Sequence, residues 1–213
     1  MAVNVFISFR YSDGNKYKEE LVSILDKNLR TIDFSEDKDR SNMSEETIQK
    51  YLYDKIRKTS VTIILLTPNA INHKKNFFGE YDDWMHDEIR FSLEDREQNR
   101  TSGLVAVYTK ETKDMIIKKS SHCCKVCNET QICTTILDFD NLARKNMFNI
   151  KPSHKHNKCI DLYDSKYDHY CQLVSYEEFV KDVDKYINIA YEKREVCDKY
   201  NLKKNLNKVK ETV

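Results

Sequence analysis

The chain of 213 residues contains very little glycine or proline. Its three glycines, Gly14, Gly79 and Gly103, lie too far apart to form GxGxxG or GxxxxGK[ST]. Both phosphate-binding loops need clustered glycines so that the backbone can approach the ligand, so the common dinucleotide and nucleoside-triphosphate motifs are excluded. The two prolines, Pro68 and Pro152, exclude a proline-rich linker.

The sequence also lacks a long apolar segment and an excess of charge of one sign. Its longest apolar run, residues 61–66, is far shorter than the roughly 20 residues that span a bilayer. The balance of 36 Lys and Arg against 35 Asp and Glu does not support a nucleic-acid-binding surface. No signal-peptide pattern opens the sequence, and the seven cysteines are an odd number. We therefore expect a cytoplasmic protein with reduced thiols that binds neither membranes nor nucleic acids.

Strand-like and helix-like segments alternate through the first half of the chain. Residues 3–9, 31–34, 61–66 and 103–108 have the β-branched and apolar character of strands buried in a parallel sheet. Apolar residues at helical spacing lie between them and predict crossover helices, the third over residues 84–95. The alternation predicts an α/β fold, a doubly wound parallel sheet with helices on both faces.

The pattern loosens after Lys110. Residues 134–139 are predicted as the next strand and 159–162 as a short strand. Ser175 and Glu178 form a capping box ahead of a long C-terminal helix. We predict a single domain over residues 1–213, with a core of 3–110 and 133–192, an irregular cysteine-containing insertion at 111–132, an irregular excursion at 144–172, and a tail at 197–213 that is the frayed end of the helix.

Three loops, at residues 10–13, 35–42 and 67–83, leave the edge of the sheet where ligands bind in such folds. After the third loop, Trp84 and Glu88 are four residues apart and therefore stack on one helix face near this edge. An indole beside a carboxylate suits a ligand that has a flat ring and sugar hydroxyls. A glutamate near a helix start is also common on a plain surface, because the helix dipole favours it.

The end of the first strand offers a second group of polar and aromatic side chains. Ser8, Phe9, Arg10, Tyr11 and Asp13 supply a hydroxyl, two rings, a cation and a carboxylate. Taken alone, these residues are more typical of a strand end followed by a helix cap, formed by Ser12 or Asp13, than of a binding site.

Three segments together resemble a known family. They are VFISFRYSD at residues 5–13, TSVTIIL at 59–65, and WMHDEI at 84–89 followed by Ser92. In this order and with these gaps, they resemble the TIR-like domain of the bacterial Thoeris anti-phage sensor proteins. The resemblance implies a flavodoxin-like TIR fold. It also implies an enzyme that breaks the nicotinamide–ribose bond of NAD and makes a signalling nucleotide that activates a partner effector. We expect a cyclic ADP-ribose isomer, whereas attack by water would give ADP-ribose and attack by an amino acid would give a conjugate.

The resemblance also implies roles for particular residues. The catalytic glutamate of the family falls on Glu88. The nucleotide pocket falls on Ser8, Phe9, Tyr11, Asp39 and Trp84. NAD is then the substrate, and catalysis requires no metal. The implied partners are a phage trigger, an effector reached through the messenger, and further copies of the chain, because family members often assemble.

A group of cysteines indicates one further site. Cys123, Cys124, Cys127 and Cys133, with His122 next to them, lie close together in the sequence and resemble half of a structural zinc site, for which His154, His156 and Cys159 can supply the other half. The spacing is not that of a standard zinc finger. Reduced thiols without a metal are therefore the preferred interpretation, with structural zinc as the alternative.

Two other functions stay open on the sequence. One is a nucleoside deoxyribosyltransferase-like enzyme, which also uses a glutamate on a ribose. The other is a non-enzymatic TIR scaffold, although a scaffold does not require Trp84 and Glu88 at this spacing. A phosphoacceptor receiver of the same general fold is excluded, because Phe9 and Arg10 stand where that class needs an acidic pair.

Overall fold

A five-stranded parallel sheet forms the centre of the structure. The structure is a computed structural model that describes residues 3–27, 31–33, 45–71, 84–95, 100–124, 128, 130–136, 142–156, 159 and 162–204. The strands are β1 (Val3–Ser8), β2 (Thr31–Asp33), β3 (Val61–Leu66), β4 (Gly103–Tyr108), β5 (Ile117–Cys123), β6 (Thr130–Ile136) and β7 (Cys171–Ser175). The helices are α1 (Tyr11–Lys27), α2 (Glu45–Ile56), α3 (Pro68–Ile71), α4 (Trp84–Leu93), α5 (Lys113–Ile116), α6 (Leu142–Lys145), α7 (Tyr176–Lys181) and α8 (Val183–Glu195).

The order of strands in this sheet is β2-β1-β3-β4-β7, and each neighbouring pair is parallel. This is the flavodoxin-like order, in which the direction of winding reverses between β1 and β3. Ligands bind such sheets beyond the carboxyl ends of the strands at the point of reversal. Ser8 at the end of β1 and Leu66 at the end of β3 mark that place. The doubly wound α/β fold predicted from the sequence is confirmed.

Helices cover both faces of the sheet. Successive strand residues point to opposite sides, so each buried strand contributes side chains to both faces. Val5 and Ile7 of β1 pack in one buried cluster with Leu21 of α1 and Ile187 of α8. The other face carries a cluster in which Ile64 of β3 packs with residues of α4 and α6. Met85, Ile89 and Leu93 give α4 the buried stripe that its sequence predicts. Among the described residues, no helix combines the length and the apolar character needed to cross a membrane.

The second half of the chain differs from its prediction in two places. Strands β5 and β6 pair antiparallel, with Ile117 opposite Ile136, so much of the predicted irregular insertion is a hairpin. Residues 134–136 therefore belong to β6 and not to the central sheet, while residues 137–139 lie outside the described residues. The fifth strand of the central sheet is β7, which pairs with β4. The sequence did not predict β7, because Gln172 and Ser175 interrupt its apolar residues.

The predicted capping box is confirmed, since Glu178 N donates to Ser175 Oγ over 3.2 Å. The predicted long helix is two helices, because Asp182 adopts a non-helical backbone and caps α8 by accepting from Lys185 N. Residues 197–204 are not a frayed helix end. Tyr200 is buried there and forms a bridge with Ile150.

The short strand predicted at residues 159–162 is not found where the structure describes this segment. Leu162 N donates to Cys159 O over 3.3 Å, and a hydrogen bond between residues three apart is typical of a turn. Residues 160 and 161 lie outside the described residues.

Candidate functional site

A buried contact between β1 and α4 lies at the carboxyl edge of the sheet. Ser8 Oγ donates to Glu88 Oε2 over 2.6 Å. Ser8 is fully buried, and Glu88 is only 7% exposed. Ser8 ends β1 and faces α4, and Glu88 lies in the second turn of that helix, so the two elements fix the carboxylate from two sides. A short hydrogen bond to a carboxylate is stronger than one between neutral groups.

Two further hydroxyls hold α4 against the sheet beside this contact. Thr62 Oγ1 of β3 and Ser92 Oγ of α4 lie 2.7 Å apart, and both residues are fully buried. Ser92 Oγ also donates to the backbone carbonyl of Glu88 over 2.8 Å. Buried hydroxyls need such partners, because an unpaired one costs free energy. The pair therefore fixes the turn of helix that carries Glu88.

Asp13, in the first turn of α1, links that helix to the segment that follows β3. Its carboxylate accepts from Thr67 Oγ1 over 2.7 Å and from the backbone N–H of Asn69 over 2.9 Å. Asn69 Nδ2 also donates to Ser12 Oγ. The prediction that Ser12 or Asp13 caps α1 is wrong, because α1 already begins at Tyr11 and the side chain of Asp13 is used between elements.

Tyr108 at the end of β4 and Glu111 just after it add a phenol and a carboxylate to the same edge, and Tyr17 of α1 reaches Glu111 from the side. Tyr17 Oη donates to Glu111 Oε2 over 3.1 Å. Burial, followed by the bond to Glu111, raises the pKa of Tyr17 above its ordinary value. The bond from Thr109 is the main cause that lowers the pKa of Glu111. Burial raises the pKa of Tyr108. Both phenols are thus neutral, and Glu111 is ionised, at physiological pH.

Of the other predicted site residues, the structure describes the side chains of Phe9 and Tyr11. Phe9 packs against the apolar cluster on the α1 face, the side of the sheet opposite to α4. The Tyr11 side chain is 61% exposed at the start of α1. Trp84 begins α4 one turn before Glu88, but its side chain lies outside the part that the structure describes, as does all of Asp39.

The predicted zinc ligands are only partly described. Cys123 is exposed on β5, and Cys124 is buried next to it. Within the described part of the chain, no group of three or more His, Cys, Asp or Glu residues is arranged to hold a metal ion. Cys127 and the side chain of Cys133 lie outside that part, so structural zinc stays a prediction.

The arrangement around Glu88 suits one kind of chemistry. A fixed, largely dehydrated carboxylate accepts hydrogen bonds from sugar hydroxyls and stabilises a positive charge that develops on the sugar ring. The sequence indicated Glu88 and Ser8 but not their contact, nor the support from Thr62 and Ser92. Two features of the sequence point to this support. Thr62 is a polar residue within an apolar strand, and Ser92 follows Glu88 by one helical turn.

Comparison with known protein families adds one finding. A family model described as the TIR-like domain of the Thoeris protein ThsB matches residues 6–114, just over half of the chain. The matched region begins in β1, ends in α5, and includes Ser8, Glu88 and Ser92. The hairpin of β5 and β6, β7 and the two C-terminal helices follow after it.

Proposed function

The chain belongs to the family of Thoeris ThsB TIR-like domains, a defence-related TIR family, and on that premise we propose that it cleaves the nicotinamide–ribose bond of NAD. Glu88 is the proposed catalytic carboxylate, and Ser8 is the residue that positions it. The observation that supports this proposal is the 2.6 Å bond from Ser8 Oγ to Glu88 Oε2 at the carboxyl end of β1. The proposed nucleotide pocket also includes Phe9, Tyr11, Asp39 and Trp84.

The proposed reaction proceeds through loss of nicotinamide. The bond between the ribose C1 and the nicotinamide nitrogen breaks, and its electron pair leaves with the nicotinamide ring, which becomes neutral. The ribose is left with oxocarbenium character, and the carboxylate of Glu88 stabilises that charge. Because nicotinamide is a good leaving group, the step needs neither a second carboxylic acid nor a metal.

The acceptor determines the product. A hydroxyl or an adenine nitrogen of the same molecule gives a cyclic ADP-ribose isomer, whereas water gives ADP-ribose. The proton of the attacking group is lost to Glu88 or to solvent. We propose the cyclic product, because a closed pocket that excludes water favours attack from within the substrate. We further propose that this nucleotide activates a partner effector and that a phage component triggers its synthesis.

Product analysis tests the proposed activity. The purified full-length chain is incubated with NAD, with a deoxynucleoside and free base, or with neither, and each reaction is run with and without extract from phage-infected cells. Mass spectrometry should show nicotinamide and an ADP-ribose-derived nucleotide in the NAD reactions. Base exchange on the deoxynucleoside would favour a deoxyribosyltransferase. No turnover of either substrate, even with the extract, would favour a scaffold.

Ser8→Ala is expected to lower kcat for NAD cleavage about ten- to a hundredfold while changing KM little. The substitution removes the short hydrogen bond that fixes the Glu88 carboxylate, so the charge is less well placed in the transition state. Steady-state kinetics of nicotinamide release measure both constants.

Thr59→Ala is the matched control for Ser8→Ala. Thr59 is also buried, and its hydroxyl also makes a short bond, of 2.7 Å to Ile56 O, but that bond lies at the end of α2. We expect Thr59→Ala to lose a similar amount of stability and to keep its kcat. Equal kcat values for Ser8→Ala and the wild type would show that Ser8 does not position Glu88.

A further inference from the structure

A cavity of about 240 Å³ lies between the end of α8 and the excursion that precedes β7. Its polar lining includes Lys166, Lys193 and Lys199, together with His154, His156 and Glu192. We call it the α8 pocket. Three lysines and one glutamate line its walls, and the carboxylates of Asp164 and Asp168 lie near Lys193.

The α8 pocket is at the edge of the sheet where the strands begin, opposite to the edge that carries Glu88. Arg194 Nε, next to Lys193, donates to the carbonyl of Thr101 over 2.9 Å, and Thr101 precedes β4. Tyr200, another lining residue, packs against Tyr170, which directly precedes β7. The pocket is therefore separate from the proposed catalytic site.

Lys193 is the central feature of the α8 pocket. The residue is 4% exposed, and among the residues that the structure describes no atom accepts a hydrogen bond from Nζ. Burial is the main cause that lowers the pKa of Lys193, to about 8, so the side chain is still mostly an ammonium at pH 7. A buried ammonium that donates no hydrogen bond costs free energy, and a bound anion would supply the missing acceptor.

The nearby acidic groups, Asp164 and Asp168, accept hydrogen bonds from the backbone of the pocket wall. Asp168 accepts from the backbone N–H groups of His156 and Asp164, over 2.9 and 2.7 Å. Asp164 in turn accepts from the backbone N–H of Lys166 over 2.8 Å. These bonds fix the loop that carries His156 and Lys166, so the wall is formed before any ligand binds.

The mouth of the pocket combines cations with aromatic surface. Lys166 and Lys199 are exposed there, so they can reach an entering anion. The rings of His156 and Tyr167 lie 4.7 Å apart, and Tyr200 Oη donates to Tyr167 O over 2.7 Å. The two rings, tilted by 35° to each other, offer aromatic surface next to the lysines.

We propose that the α8 pocket binds a small phosphate-bearing anion, with Lys193 as its buried counter-ion and Lys166 and Lys199 at its mouth. Lysine binds phosphate as a point charge, and several lysines suit an anion of more than one charge. The anion is either a free phosphate compound or the phosphate of a nucleotide whose base lies on the His156–Tyr167 rings. The proposal does not depend on cleavage of NAD.

Calorimetric titration of the full-length chain with pyrophosphate and with AMP tests the proposal. The wild type should bind at least one of them, and Lys193→Met should bind it at least about tenfold more weakly, as expected for loss of a charged partner. Lys185→Met is the matched control, because Lys185 is exposed on the same helix and lies over the ring of Tyr186. This control should bind like the wild type. Tighter binding of pyrophosphate identifies a free phosphate compound, and tighter binding of AMP identifies a nucleotide.

A pH series on the wild type gives a second test that needs no variant. Sulfate is the probe, because it does not titrate between pH 7 and 9.5. Asp164, Asp168, His169 and Cys171 lie near Lys193, and His154, His156, Lys166, Glu192, Lys199 and Tyr200 line the same pocket. Burial keeps His169 neutral by lowering its pKa to about 3, and it keeps Cys171 neutral by raising its pKa to about 12. Affinity should therefore fall as Lys193 loses its proton above pH 8, approaching tenfold per pH unit.

Three results would overturn the proposal. They are the absence of binding of pyrophosphate and AMP to the wild type at millimolar concentration, wild-type affinity in Lys193→Met, and an affinity for sulfate that does not change across the pH series.

Discussion

Glu88→Gln is expected to lower the rate of nicotinamide release about a thousandfold or more and to leave the fold intact. The amide keeps the shape of the side chain and still accepts the hydrogen bond from Ser8 Oγ, but it carries no charge to stabilise the developing cation. Because the substitution removes a buried charge without creating a cavity, we expect Tm to stay within about 3 °C of the wild type. Nicotinamide release and thermal unfolding measure the two quantities.

Asp87→Asn is the control for Glu88→Gln. Asp87 is the neighbouring carboxylate on α4, and its side chain is 28% exposed and pairs with Arg90 over 3.2 Å. Partly exposed pairs of this kind contribute little to stability. The control should keep both its activity and its Tm. Nicotinamide release at the wild-type rate in Glu88→Gln would remove Glu88 from the mechanism.

Gly103→Ala is expected to destabilise the fold by about 3 kcal/mol or more. A Cβ atom at Gly103 would lie 2.1 Å from the carbonyl oxygen of Ala190 and 2.5 Å from its carbonyl carbon. These are backbone atoms of α8, so no side chain can rotate away and the helix must move off the start of β4. For a chain of this size, we expect Tm to fall by about 6–12 °C.

Gly14→Ala is the matched control for Gly103→Ala. The nearest atom to a Cβ at Gly14 is Cδ2 of the Phe9 ring, at 3.2 Å, and a ring can shift by the small amount required. Gly14 lies inside α1, where alanine is favoured over glycine by about 1 kcal/mol. We therefore expect Gly14→Ala to change stability by no more than about 1 kcal/mol. Equal Tm values for the two variants would show that α8 does not contact β4 as described.

The sequence predicts the first half of the fold well because its strands are buried on both faces. Residues 61–66 and 103–108 are almost continuously apolar, and the structure gives β3 and β4 the same bounds. Met85, Ile89 and Leu93 likewise predicted the buried side of α4. In such segments local composition and tertiary environment agree, so the pattern alone is sufficient.

The second half was harder to predict because its order depends on contacts between distant segments. Residues 117–123 contain lysines and serines, and they form a strand because β6 pairs with them. Tyr200 is buried through its bridge with Ile150, which is far away in sequence. The hydropathy pattern of the chain does not reveal either pairing. The sequence therefore predicted an irregular insertion where the structure has a hairpin, and a frayed tail where it has an ordered segment.

The candidate site shows the same division. The spacing of Trp84 and Glu88 placed the glutamate near the ligand edge. The sequence did not show that Ser8 donates to Glu88, because the two residues meet only when β1 and α4 pack together. The lysines that line the α8 pocket also come from segments that are distant in sequence.

A crystal structure of the Glu88→Gln variant bound to intact NAD tests the central claim most directly, because the slowed reaction preserves the substrate. The hydroxyls of the nicotinamide ribose should lie within hydrogen-bond distance, about 3 Å, of the side chain at position 88, beside Ser8. NAD bound elsewhere, with the ribose out of reach of position 88, would contradict it.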